Sequence, residues 1–185
     1  DWQRPRPRLG RADVLLALGA FAVLALAMEA IRSFTPVGEQ STPVVVRYLT
    51  IGSSCLLLLG RRRWPVAVMV LLGIHFYLTC THAPEVGYSL TYQLVPLMGL
   101  YSGFAWAPSR RVVLITGVVL GLGLLLWLSW LAAVGQGMEH LLEVNRENAG
   151  LFSVATGANL YSAICNTIYF LAGVLMGQAA WRQTR

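Results

Sequence analysis

Six apolar runs separated by short polar connections organise the 185-residue chain. They fall at roughly 13–34, 43–60, 64–80, 88–107, 112–134 and 158–180. A helix needs about 20 residues to cross the hydrocarbon of a bilayer, and about 17 can suffice. The pattern therefore predicts an all-α polytopic membrane bundle of six transmembrane helices. The second and third runs are short, and the tight Arg61–Trp64 connection pairs them as a hairpin. The connection at 136–157 is longest. Met138, Leu141, Leu142 and Asn145 share one helical face there, with Glu139, Glu143 and Glu147 turned away. That spacing predicts an amphipathic helix on the outer surface, as a lid or as an inert connector.

Charge orients the runs. All fourteen basic residues are arginine, and eleven lie at alternate boundaries. Arg4, Arg6, Arg8 and Arg11 precede the first run, Arg61–Arg63 follow the second, Arg110 and Arg111 follow the fourth, and Arg182 and Arg185 follow the last. The remaining connections carry Glu39, Glu85, Glu139, Glu143 and Glu147 against Arg32 and Arg146. The positive-inside rule then puts both termini of a multi-pass membrane protein in the cytoplasm. Residues 1–12 form a basic cytoplasmic segment, 13–180 the transmembrane domain, and 181–185 the start of a cytoplasmic linker. Trp64, Trp106 and Trp181 lie at the inner boundary, where indole rings favour the interface.

Composition narrows the classes further. The chain is 56% hydrophobic and 12% charged, unlike a soluble domain. Its net charge of +6 sits in short juxtamembrane clusters, which argues against nucleic acid. Such clusters attract anionic lipid headgroups at about 1 kcal/mol per residue. The first run is too long, and has too many successors, to be a cleaved signal peptide, and the opening Asp1 predicts that residues precede it. Cys55, Cys80 and Cys165 read as buried small hydrophobes rather than a disulfide framework. The three histidines are too scattered for a metal motif. No phosphate loop, metalloprotease motif or nucleophile elbow appears, so no catalytic residue, cofactor or metal ligand is assigned.

Inside the runs, close approach of small residues replaces hydrophobic burial as the means of helix contact. Gly99/Gly103, Gly117/Gly121 and Gly173/Gly177 each place two glycines on one helix face. Pro96 predicts a kink near Tyr92. The polar residues of the spans share the outer half. Glu29 and Arg47 fall at one depth, and a Glu29–Arg47 ion pair would spare each the cost of isolation in lipid. Such a pair would fasten the first hairpin or take part in sensing; independent snorkelling is the other option. His75, Tyr92, Gln93, Ser129, Tyr161 and Asn166 lie in the same half. Glu29, Arg47, His75, Gln93 and Asn166 are thus the candidate intramembrane polar network or ligand site. The reference pKa of histidine leaves His75 open to proton sensing.

The boundary segments carry a resemblance. They are Asp13–Leu18 opening span one, Arg61–Val68 opening span three, Tyr101 with Ala107–Arg111 closing span four, and Gly173–Gly177 with Trp181 and Arg182 closing span six. Over nearly the whole chain this arrangement resembles the N-terminal membrane region of actinobacterial sensor histidine kinases of the NarL/LiaS-like class. Two features depart from many relatives: the long 136–157 connection and the sixth span. The resemblance implies a membrane sensory and anchoring domain whose last span continues into a dimerisation helix and an ATP-binding domain. Gly173, Gly177 and Trp181 then mark the signal-output helix. None of His75, His82 and His140 matches the family's phosphoacceptor motif. A transporter's solute-binding subunit and a regulatory or assembly subunit of a larger complex are the rival readings. A second copy and another membrane subunit are the protein partners left open.

Overall fold

The computed structural model describes residues 10–34, 42–134 and 154–183, and the regular structure among them is helical throughout. The helices are α1 (Arg11–Phe34), α2 (Val44–Leu58), α3 (Pro65–His82), α4 (Pro84–Gly87), α5 (Leu90–Trp106), α6 (Arg110–Val134) and α7 (Val154–Gln183). Among the described residues, four segments are long and apolar enough to cross a membrane: Arg11–Ser33, Pro65–His82, Arg110–Trp130 and Ala163–Gln183. Their outward faces leave Leu15, Leu26, Leu126 and Leu175 exposed. Such continuous apolar surface belongs against lipid, and the chain is built as a membrane protein.

Local chemistry sets the boundaries. Pro65 occupies the first turn of α3, where its missing N–H costs nothing. Ser89 caps α5 by accepting from the Tyr92 amide at 3.4 Å. Ala107, extended at ψ 135° ahead of Pro108, ends α5. Helix α5 runs through Pro96 without interruption. The single turn α4 is additional to the predicted elements. It tucks Val86 and Gly87 beneath the end of α3, with Cys80 so close to Gly87 that a Cβ there would lie 2.7 Å from its Sγ. Helix α3 runs two residues beyond its predicted end, and α7 starts four residues earlier than expected and continues past Trp181. The basic residues 1–9, the connection at 135–153 with its predicted amphipathic face and His140, and Arg185 lie outside the described residues.

Helix α5 is the hub and touches every other described helix, most extensively α3 and α7. Gly99 and Gly103 meet Leu72 and Met69 of α3, so those helices run antiparallel. Gly173 meets Leu97 and Leu100, while Gly177 meets Tyr101 and Phe104, so α5 and α7 run parallel. Gly117 of α6 faces Phe104 and Gly121 faces Phe170. All three glycine pairs therefore sit in helix contacts. One core cluster joins Leu24, Met28, Ile51, Leu72 and Tyr92; a second joins Met69, Phe104, Ala107 and Val113.

Both ends of the bundle are tied by charge. At one end Asp13, only 1% exposed, receives Arg61 Nε at 3.1 Å and lies 3.0 Å from Arg62 Nε. The Gly10 amide donates to its second oxygen at 3.3 Å. Arg62 also lies 5.0 Å from the Trp106 ring centroid, Arg63 4.8 Å from that of Trp64 and Arg110 3.7 Å from that of Trp181. Each of these tryptophans thus carries an arginine over its ring, a cation–π arrangement. Trp181 is buried rather than facing outward.

Three substitutions test this packing and its charge tie by thermal unfolding in detergent. Gly177→Ala places a Cβ 2.7 Å from the Tyr101 carbonyl oxygen and 2.6 Å from Phe104 Cβ, and should cost roughly 2 kcal/mol. Gly19→Ala meets nothing within 4 Å and should stay within about 0.5 kcal/mol of the unaltered chain. Asp13→Asn removes the charge shared by Arg61 and Arg62 and should cost about 3 kcal/mol.

Candidate functional site

The five polar candidates separate into four environments. Glu29 is exposed at the end of α1. It binds Arg32 at 2.6 Å and accepts from the Tyr48 hydroxyl. Arg47 is 2% exposed and pairs instead with Glu85 of α4, while its Nε donates to the Thr42 carbonyl at 2.9 Å. The Thr42 amide donates to Glu85 at 3.4 Å. The expected Glu29–Arg47 pair is therefore not formed. Tyr48, next to Arg47, reaches Glu29, but neighbouring residues on a helix point about 100° apart. Tyr48 faces α1, so Arg47 turns toward α4 and carries its charge with it.

His75 is the centre of a hydrogen-bonded cluster from three helices. Its Nε2 lies 2.8 Å from Ser53 Oγ of α2, and its Nδ1 lies 2.6 Å from the Tyr92 hydroxyl of α5. Thr79 Oγ1 lies 3.0 Å from the same hydroxyl. The proton assignments are constrained, because Ser53 donates to the Thr50 carbonyl and Thr79 donates to the His75 carbonyl. A hydroxyl has one proton to give. With neutral histidine, Nε2–H therefore donates to Ser53 and Tyr92 O–H donates to Nδ1. Adding a proton at Nδ1 reverses one bond: Nδ1–H then donates to Tyr92, whose O–H turns to Thr79. The cluster accommodates both states without moving a heavy atom.

Gln93 and Asn166 line a separate cavity of about 410 Å³ between α3, α5, α6 and α7. Its walls are otherwise largely apolar and aromatic, including Trp127 and Phe170. Trp127 sets its edge against Phe76 and Tyr77 at centroid distances of 6.2 and 5.6 Å, and Phe76 stacks on Tyr92 at 6.4 Å. This aromatic chain connects the cavity wall to the His75 cluster. Tyr161 is exposed, and Ser129 is exposed with its hydroxyl donating to its own helix at Leu125; neither lines the cavity.

At the opposite end, α7 is held by Arg110. Its Nη1 donates to the Phe104 carbonyl at 2.9 Å while its guanidinium covers Trp181. One side chain on α6 thus serves the last turn of α5 and clasps the end of α7. A cation in the first turn of a helix is disfavoured by the helix dipole, and these two contacts offset that. Sequence reasoning missed the Asp13 clamp, the Glu85 partner of Arg47 and the roles of Ser53, Thr79 and Arg110. Asp13 alone carried a usable signal, being an acid at the boundary where the arginines gather.

No family model matches the chain, and no curated protein or solved structure matches it.

Double-mutant cycles separate the corrected pairing from the expected one. Arg47→Ala and Glu85→Ala should each destabilise by roughly 2–4 kcal/mol and couple by at least about 1 kcal/mol. Arg47→Ala and Glu29→Ala should add to within about 0.5 kcal/mol in thermal or denaturant unfolding.

Proposed function

We propose that this chain is the membrane-embedded sensory and anchoring domain of a two-component sensor histidine kinase. It crosses a bacterial cytoplasmic membrane six times, with both ends cytoplasmic, and passes its signal through α7 to a kinase. The observation that carries the reading is the joint packing of α5. This helix supplies Tyr92 to the His75 cluster and lies against Gly173 and Gly177 of α7. A rearrangement at Tyr92 is thereby coupled to the position of α7 and of the Arg110–Trp181 contact at its far end. Transmission of this kind needs two packings only a few kcal/mol apart.

The topology is supported by the segregation of charge. Arg61, Arg62, Arg63, Arg110 and Arg182 belong to the end that holds Asp13 and Trp181, whereas at the other end Glu29 and Glu85 are matched by Arg32 and Arg47. That asymmetry favours a cytoplasmic arginine end facing anionic headgroups. Helices α2 and α5 are about 22 and 25 Å long, so crossing there calls on their flanking turns or local thinning of the bilayer. A transporter subunit would need the outer polar residues to converge on a solute. Glu29, Arg47 and His75 instead hold separate partners, which favours the sensory reading.

The coding sequence beyond Arg185 is the direct test. A histidine-bearing dimerisation helix followed by an ATP-binding domain is expected; a stop codon there overturns the reading. In the full-length kinase, Arg110→Ala should remove the guanidinium from the Trp181 ring and change stimulus-dependent autophosphorylation at least about threefold, with membrane insertion retained. Unchanged autophosphorylation would remove the Arg110–Trp181 contact from the signalling route.

A further inference from the structure

The cavity between α3, α5, α6 and α7 has a chemistry that points to its ligand. Among the described residues its lining includes no charged side chain. A carboxylate, phosphate or ammonium would enter without a counter-charge, at a high cost in desolvation. What the walls offer instead is aromatic surface with amide groups from Gln93 and Asn166 and the phenol of Tyr169. Gln93 Oε1 is shielded and accepts no hydrogen bond among the described residues. An amide oxygen is costly to leave unpaired in apolar surroundings.

A second constraint is room. A Cβ built at Gly123, on the α6 wall, meets nothing within 4 Å. The volume of about 410 Å³ lies in the range of about 300–1,000 Å³ usual for small-molecule sites.

We propose that this cavity binds an uncharged amphiphile, an apolar chain bearing a hydroxyl that hydrogen-bonds the Gln93 amide. A hydroxyl both donates and accepts, so it serves either end of that amide. A phospholipid tail would fill the space but leave the amide unpaired, and a phospholipid headgroup would bring charge to described walls that offer no counter-charge. The assignment stands apart from the kinase reading, because binding is a property of this chain whether or not it feeds an output domain.

Photolabelling in phosphatidylcholine nanodiscs tests it with two probes, a diazirine-bearing hexadecanol and its methyl ether. The alcohol should label peptides around Trp127 and Phe170 saturably. The ether, which cannot donate, should need about tenfold higher concentration. Gln93→Leu should bring the alcohol down to the level of the ether, and Gly123→Phe should suppress both. Unlabelled hexadecanol and dioleoylglycerol serve as competitors and distinguish a single-chain alcohol from a glyceride as the source. Suppression by either supports the site. Equal labelling by alcohol and ether in the unaltered chain, competition by neither, or labelling that persists in a folded Gly123→Phe variant overturns it. The alcohol-to-ether ratio needs no substitution, so misfolding of a variant cannot shelter the proposal.

Discussion

Helix α5 can lie against both α3 and α7 because glycine stands at each point of closest approach. Gly99 and Gly103 admit Leu72 and Met69 on one side; on the other, Gly173 and Gly177 admit Leu97, Tyr101 and Phe104. Lipid tails are as apolar as leucine, so helices in a bilayer gain little by hiding apolar surface from their surroundings. Close contact and dispersion must supply the attraction, and both fall off over fractions of an ångström. The Tyr92 bonds, the cavity wall at Gln93 and the Phe104 carbonyl that Arg110 reaches all depend on α5 keeping this position.

Charge closes the bundle where glycine cannot. Asp13 gathers Arg61 and Arg62 at one end, and Arg47 meets Glu85 at the other. These groups sit near helix termini, where unpaired backbone polar groups also need partners. Asp13 accepts from the Gly10 amide, Arg47 donates to the Thr42 carbonyl, and Arg110 donates to the Phe104 carbonyl. Between the two tied ends, the His75 cluster and the cavity share one aromatic connection through Phe76. The cluster and the cavity thus bear on the same helix, α5.

Much of the fold was legible in the chain, and the candidate site was legible only in fragments. Pro65, Ser89 and Pro108 mark helix ends because their effects are local and need no neighbour. The four-residue glycine spacings marked contact faces for the same reason. Glu29 and Arg47 show the limit. Their depth could be counted from the span ends, but which way Arg47 points depends on where α1 and α4 pack around α2. Gln93 and Asn166 were placed in one half of the bundle, and they share a cavity only because α5 and α7 run parallel and adjacent. Ser53, Thr79 and Arg110 gave no signal, since a hydroxyl or boundary arginine is ordinary until a neighbouring helix gives it a partner.

By itself the sequence determined the apolar helices, the sorting of charge to alternate boundaries and the glycine faces, because hydropathy, charge and the absence of a side chain act through the spacing of residues along one helix. The tertiary structure alone decided the partners: Asp13 with two arginines, Arg47 with Glu85, His75 with Ser53 and Tyr92, Trp181 beneath Arg110. Those pairings depend on the rotation of each helix about its axis. Rotation is set by packing against several neighbours at once, and no single segment of the chain contains that information.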